Sequence, residues 1–335
     1  EEMYLDRLLK SLREIAYPRD MFDVVVIADN CDDRTAAIAR ENAVNCIERF
    51  APEHKGKGYA LEWAMDQINL NAYHAVLIID ADTYVDPNIL KELDWSLMHG
   101  ARIVQCQNAL GNPEASWFTR LQNIMRVIDN VLVHHAKHKL GLSSFLMGNG
   151  MCFTRDIIRR HPWRAVSLCE DFEYYTNLIL NNEWIDFNYN AKVFHQESST
   201  LKQAYPQRSR WSAGKFHLMH THALIMLSHG IRNRSIKGIE ATFIIILPHP
   251  SMLCNLSAAT FILSLFLSRG WIILSWIILL QEIAYFTLGL VLSKASLRTM
   301  WSFLYAPFYL GWKASIDIIN LFGLGEKEWK RTVRS

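Results

Sequence analysis

Net charge is what this sequence has least of. Its 35 lysines and arginines face 33 aspartates and glutamates, a formal +2. No basic stripe is interleaved with aromatics, which excludes an electrostatic nucleic-acid binder. Six cysteines, at 31, 46, 106, 152, 169 and 254, include no C-x-x-C and no metal-ligand spacing. They read as reduced thiols on the cytosolic side of a membrane. No G-x-G-x-x-G is present, so a dinucleotide fold is excluded, and the P-loop spacing is missing as well. No signal peptide is visible, and the chain opens in an amphipathic helix with Leu5, Leu8, Leu9, Leu12 and Ile15 on one face. Apolar residues are what abounds: half of the 335 residues are hydrophobic and 12% are aromatic. That is too long for one ordinary domain and too apolar for a purely soluble chain.

Composition changes near residue 216. Before it, strand patterns at 23–28, 44–47, 75–79, 102–107, 146–153 and 185–194 alternate with helix patterns at 3–15, 33–42, 57–70, 87–98, 115–139 and 170–181. Such alternation predicts an α/β fold, a mostly parallel sheet flanked by helices. Residues 216–235 predict an amphipathic helix on a membrane surface. Beyond them, 271–293 is long enough to span a bilayer, 239–268 is apolar but broken at Pro248-His249-Pro250, and 299–322 carries Lys313 and Asp317. Three crossings would place the basic tail 323–335 outside, against the positive-inside rule, so either 299–322 is interfacial or 239–268 is re-entrant, with a cytosolic C-terminus.

Four stretches before residue 216 carry chemistry. The run VLIIDADTYVDP (76–87) is a buried strand that releases Asp80 and Asp82 one residue apart. Asp86-Pro87 already supplies the cap of the next helix, so the pair is left without a structural role. Open α/β sheets bind ligands at the carboxyl ends of their strands, and hard divalent cations take one or two carboxylates plus substrate phosphates. In VVVIADNCDDRT (24–35), Asp32 or Asp33 caps a helix while Asp29 stays available to a ligand. In GKGYALEWA (56–64), Lys57 sits between glycines at a helix start, which suits either a phosphate or a plain loop. In SLCEDFEYYTNL (167–178), Asp171 is either a first-turn charge or a general base.

The order of these motifs, together with GNG (148–150), QRSRW (207–211) and a closing KEWKRTVR, resembles the inverting family 2 glycosyltransferases of the GT-A fold. The Q-(Q/R)-x-R-W signature is similar to that of the membrane-embedded, processive synthases of cellulose, hyaluronan and poly-N-acetylglucosamine. The resemblance implies a GT-A domain over 1–215, then an α-helical transmembrane region over 236–322, integral to a cell membrane such as a bacterial inner membrane, with the catalytic domain cytosolic. It implies a nucleotide-sugar donor, a UDP-sugar first, a glycan or lipid-linked acceptor, and Mg²⁺ or Mn²⁺. By position, Asp29 and Lys57 would meet the nucleotide, and Asp80 and Asp82 the nucleotide and metal, with Asp82 the direct ligand. Asp171 would be the catalytic base, beside Glu170. Gln207, Arg208 and Arg210 would serve the diphosphate, and Trp211, with Glu170, Gly148, Asn149 and Gly150, the acceptor. Glu197 is carried over only loosely.

The family's usual first strand, ending in Asn-Glu, is missing ahead of Glu1-Glu2, so a longer natural protein is expected. Single transfer to a lipid carrier and a catalytically silent membrane scaffold remain the alternatives. His134, His135 and His138 read as a solvated helix face, and Phe145, Met147 and Met151 as core.

Overall fold

The computed structural model describes residues 2–247 and 249–325. In chain order the elements are α1 (Glu2–Arg13), β1 (Val25–Asp29), α2 (Thr35–Glu41), β2 (Asn45–Arg49), α3 (Lys57–Gln67), β3 (Ala75–Ile78), β4 (Thr83–Val85) and α4 (Ile89–Met98). There follow β5 (Ile103–Leu110), α5 (Trp117–Ile128), a π-helical segment (Asp129–His135), α6 (Ala136–Lys139), β6 (Met151–Thr154), α7 (Arg155–Arg160), α8 (Glu170–Leu180) and β7 (Asp186–His195). The remainder is helical: α9 (Leu201–Arg232), α10 (Ile236–Ile246), α11 (Pro250–Ser264), α12 (Arg269–Leu292), α13 (Leu297–Ser302) and α14 (Ala306–Leu321).

The sheet is mixed, which corrects the expectation of a mostly parallel one. A parallel pair, β1-β2, stands apart from a five-stranded sheet of order β3-β6-β5-β7-β4. Within the latter only β5 and β7 are parallel, whereas β6 opposes both β3 and β5 and β4 opposes β7. The cause is where the chain re-enters. Met151 pairs with Ile78, the last residue of β3, so β6 begins at the carboxyl end of β3 and runs back. The short β4 follows the Asp80–Asp82 turn and escaped the hydrophobic pattern because only three residues pair.

Alternation across these strands divides the core in two. Ile103, Met151 and Phe153 join Tyr174, Tyr175, Leu178 and Leu218 on one face. Val104, Cys106 and Cys152 face the other way, against Leu5, Leu8, Leu9 and Leu12 of α1 and Ile89 and Leu93 of α4. Strands buried on both faces carry unbroken apolar runs, as β3 does here. The predicted amphipathic stripe of α1 is the stripe that is buried.

Two helix expectations change. The pattern 115–139 is not one α-helix, because its middle winds as a π-helix. There His134 is fully buried rather than solvated, bonded to Ser144 and stacked 5.0 Å from Phe187. The compositional break near 215 falls inside α9, a single 32-residue helix with a Thr200–Gln203 capping box. QRSRW and the amphipathic segment are thus one rigid body.

Of the apolar stretches, α12 alone among the described residues is long and apolar enough to cross a membrane, while α10 and α11 form a pair bent by 72°. The stretch 299–322 is broken by a turn at Phe303–Tyr305, and α14 has 16 residues. Lys313 and Asp317 there are buried as an ion pair, Asp317 accepts from Ser212 of α9 at 2.7 Å, and Asn320 donates to Ser209 at 3.2 Å. The polar side of α14 therefore closes on α9. The closing motif around Trp329 lies outside the described residues.

Gly214 of α9 meets α8 so closely that an added Cβ would lie 2.4 Å from Cys169 Sγ and 3.2 Å from its backbone nitrogen. Gly214→Ala should therefore destabilise the fold by about 1–3 kcal/mol through overpacking, read as a lowered melting temperature.

Candidate active site

The site is built at the carboxyl end of β3. A positive φ at Gly148 (76°) and Gly150 (66°) lets the chain turn there before entering β6. Gln105, fully buried in β5, holds this turn from below. Its Nε2 donates to Asn149 O at 2.8 Å and its Oε1 accepts from Met147 N at 2.9 Å. Asn149 in turn holds the aspartate turn, its Oδ1 accepting from Asp80 N at 3.1 Å and its Nδ2 donating to Thr83 at 2.9 Å. The Asn149 side chain is thus engaged inside the protein, on the aspartate turn. Thr83 also reaches Asp82 Oδ1 at 3.4 Å. The GNG loop and the DAD turn are one hydrogen-bonded unit.

Lys57, at the start of α3, stands at the centre. Its ammonium bonds to both the Asp80 carboxylate and the Gly148 carbonyl. Burial alone would lower the affinity of this amine for its proton, but Asp80, Glu170 and Asp171 reverse the effect and raise it. Across from it, Glu170 and Asp171 open α8. Burial, then the neighbouring Glu170, pushes the Asp171 carboxyl up to about 7, against the opposing pull of Phe172 N, Lys57 and Arg210. Burial likewise raises Glu170, again against Lys57 and Arg210. An added Cβ at Gly148 would sit 3.1 Å from Asp171 Oδ2, so the glycine keeps space free above this carboxylate. A carboxylate that titrates near neutrality is suited to take a proton.

The structure separates the roles of the QRSRW residues. Arg210 is the arginine whose charge reaches Glu170 and Asp171. Arg208 is tied elsewhere: its Nη2 donates to Glu197 at 2.9 Å and Gln122 at 3.1 Å, and its guanidinium lies 4.7 Å over the Trp211 ring. Trp211 accepts at its carbonyl from Cys169 Sγ at 3.6 Å, next to the Glu170–Asp171 pair. Gln207 is half-buried on the same helix. Glu197 has a side chain only 3% exposed, and Arg208 and His195 hold it down to about 2 despite the opposing effect of burial. Asp29 does stand at the end of β1, in an ion pair with Arg49 at 2.5 Å.

Lys57, Asp80, Gly148, Glu170, Asp171 and Arg210 are therefore brought together, with Asp82 on the adjoining turn. Asp29 lies on the separate sheet. Gln105, Gln122 and Arg49 escaped sequence reasoning. The one signal for Gln105 was a glutamine directly after the apolar pair Ile103-Val104 of a strand. Among the described residues no three His, Cys, Asp or Glu side chains form a metal-ligand group. Asp80 and Asp82 fit a hard divalent cation whose other ligands are phosphate and water.

Removing one partner of a buried ion pair leaves the other uncompensated. Glu197→Ala should therefore cost about 3–5 kcal/mol of stability, measurable by thermal denaturation.

Residues 1–214 match the family model described as "Glycosyltransferase like family 2". The chain is 26% identical over 223 residues to the probable glycosyltransferase YdaM of Bacillus subtilis, covering 64% of this chain and 52% of that protein. It is 25% identical over 224 residues to a beta-monoglucosyldiacylglycerol synthase of Nostoc, covering 64% and 47%. The chain thus spans about half the length of the curated relatives it matches. The solved mannosyltransferase PcManGT of Pyrobaculum calidifontis, in complex with GDP-Man and Mn²⁺, superposes with a TM-score of 0.55 at 15% identity. It covers 96% of this chain and 84% of that one, and shares the fold. With the matched segment ending just past QRSRW, the chain belongs to the family 2-like glycosyltransferases and carries their GT-A-like α/β fold.

Proposed function

We propose that the protein transfers a sugar from a nucleotide-sugar to an acceptor hydroxyl, on a glycan or a lipid-linked molecule, with inversion. The observation that carries this reading is the meeting of Asp171, with its carboxyl raised to about 7, with Lys57, Asp80 and Arg210 at one strand end. Asp29, paired with Arg49, would meet the nucleoside. Asp80 and Asp82 would hold a divalent cation, Mg²⁺ or Mn²⁺, which when bound supplies positive charge to the donor's diphosphate. The cation in the PcManGT complex supports that assignment.

The steps follow from the chain's own groups. Asp171 accepts the proton of the acceptor hydroxyl. The oxygen forms its bond to the anomeric carbon from the face opposite the diphosphate, the bond to the leaving oxygen breaks, and configuration inverts. Arg210 offsets the charge that develops on the leaving group, as a guanidinium does for phosphate oxygens. Lys57, already bonded to Asp80, keeps that carboxylate oriented. Trp211 would offer an indole face to the acceptor, and Arg208, locked on Glu197, fixes the helix that carries it.

A membrane location is part of the proposal. Trp271, Ile273, Leu280, Ile283 and Val291 of α12 are exposed, as are Phe243, Leu256 and Ile262 of the bent pair. Apolar side chains exposed in this number along α12 and the bent pair suit a bilayer. The lipid product in the name of the Nostoc relative favours single transfer to a lipid, whereas QRSRW favours processive synthesis.

Asp171→Asn should lower transfer about 10²–10⁴-fold, the worth of a positioned general base, while nucleotide-sugar affinity is retained. Full transfer by that variant in a radiolabelled-donor assay would remove Asp171 as the base. Since the deprotonated carboxyl is the working form, kcat/KM in the wild type should fall as pH drops through about 7. A flat profile between pH 5 and pH 8 would contradict the assignment.

A further inference from the structure

The proposed chemistry leaves the groove between α5 and α9 unassigned. Helix periodicity sets its two walls. Gln122, Arg126 and Asp129 stand at i, i+4 and i+7, on one face of α5 and the start of the π-helical segment. Arg208, Trp211 and Lys215 stand at i, i+3 and i+7, on one face of α9. The walls are pinned together at one end, where Arg208 donates to Gln122 at 3.1 Å. Further along, Asp129 lies close enough to both Arg126 and Lys215 for each cation to act on its carboxyl. Beyond the pinned end, the groove is thus walled by Arg126 and Asp129 on one side and Trp211 and Lys215 on the other.

The charges along this groove do not balance. At the pinned end Arg208 is matched by Glu197. Beyond it two cations meet one carboxylate, and among the described residues neither Arg126 nor Lys215 is in an ion pair. Arg126 Nη1 donates to Met147 Sδ at 3.5 Å, and a thioether is a weak acceptor. Burial, then the charge of Lys313, brings the Lys215 ammonium down to about 8, as befits a cation short of compensation. Arg126, Asp129 and Lys215 are each only half-buried, so the groove is open to a ligand. Cations left unmatched in such a place call for an anion, and a guanidinium beside an ammonium suits phosphate oxygens.

Position narrows the source of that anion. Met147 precedes Gly148, whose Cα faces the Asp171 carboxylate, so the groove adjoins the proposed base. Trp211, the residue proposed to face the acceptor, stands on its α9 wall. Another face of α5 lies against α12, where a Cβ added at Gly289 would meet Ile128 Cδ1 at 2.4 Å. That helix is long and apolar enough to cross a membrane. A phosphate arriving beside it is the phosphate of an amphiphile.

We propose that Arg126 and Lys215 form a second anion site, separate from the one at Asp80 and Asp82, that binds the phosphate of an anionic lipid. The inference rests on the glycosyltransferase reading and deepens it by naming a charged partner held next to the proposed base. The phosphate belongs either to the acceptor itself or to a phospholipid beside it, and the recognition chemistry is the same for both.

The test measures binding by the full chain in dodecyl maltoside micelles, by calorimetry, with nucleotide-sugar binding followed in parallel. The probes are dioctanoyl phosphatidylglycerol, which carries a phosphodiester and free hydroxyls, neutral dioctanoylglycerol, and inorganic phosphate. Three variants are compared: Arg126→Gln, Lys215→Met and the charge-keeping Lys215→Arg. None of them strands an ion-pair partner, so melting temperatures should stay near that of the wild type. The expected result is saturable binding of phosphatidylglycerol, weaker by about tenfold or more in Arg126→Gln and Lys215→Met. Lys215→Arg should retain it, and nucleotide-sugar affinity should be unchanged throughout. Transfer of label from a radiolabelled nucleotide-sugar to the bound phosphatidylglycerol would assign the phosphate to the acceptor. Binding without labelling would assign it to a phospholipid beside the acceptor. Equal affinity in the neutralised variants, equal binding of dioctanoylglycerol, inorganic phosphate bound as tightly as the lipid, or no lipid binding by the wild type would overturn the proposal. Failure of the underlying reading has a different signature: the wild type binds phosphatidylglycerol but no nucleotide-sugar.

Discussion

Three carboxylates gathered at one strand end, Asp80, Glu170 and Asp171, repel one another, and the ammonium of Lys57 is what makes the arrangement tenable. Unit charges 4 Å apart interact by about 4 kcal/mol at an effective dielectric of about 20. A single cation within reach of all three therefore outweighs most local preferences. Lys57 reaches the centre because α3 starts at that residue, behind Gly56 with its φ of 124°. The balance is incomplete, and the residual repulsion and burial appear as the raised Asp171 carboxyl. Structural stabilisation and proposed chemistry thus meet in the same ion pairs.

Around that centre, buried amides set distances that charges alone would not. Gln105 fixes the GNG turn, the GNG turn fixes Asp80, and Lys57 closes the loop from Gly148 back to Asp80. Backbone geometry contributes as well, since Gly148 leaves the space above Asp171 that a side chain would narrow. A second buried unit, Glu197 with Arg208 and Gln122, anchors α9 to the α/β domain. Because α9 is continuous from Thr200 to Arg232 and carries Ser209 and Ser212 against α14, the helical region is tied to the site by one rigid rod. The apolar helices and the proposed base are in this way parts of a single body rather than tethered modules.

Much of this was legible in the chain. Strands were recognisable at 75–79, as a continuous apolar run, and at 102–107, and so were the apolar stripe of α1 and the release of aspartates at a strand end. Less visible was anything that depends on a partner distant in sequence. His134 looked like a solvated helix face because periodicity cannot report a π-turn that rotates the face inward. Arg208 and Arg210 looked alike at two-residue spacing, yet a helix turns about 200° between them, which sends one to Glu197 and the other to Asp171.

By itself, then, the sequence determined the α/β alternation, the set of acidic and basic residues able to do chemistry, and the apolar helices that follow. It could do so because strand and helix periods and motif order are local properties. Only the tertiary structure decided that β6 runs back against β3 and β5, that Lys57 sits between Asp80 and Gly148, that Asp171 is raised toward neutrality, and that α14 turns its charges onto α9. Each of these depends on the burial and proximity of residues tens to more than a hundred positions apart, which no local pattern encodes.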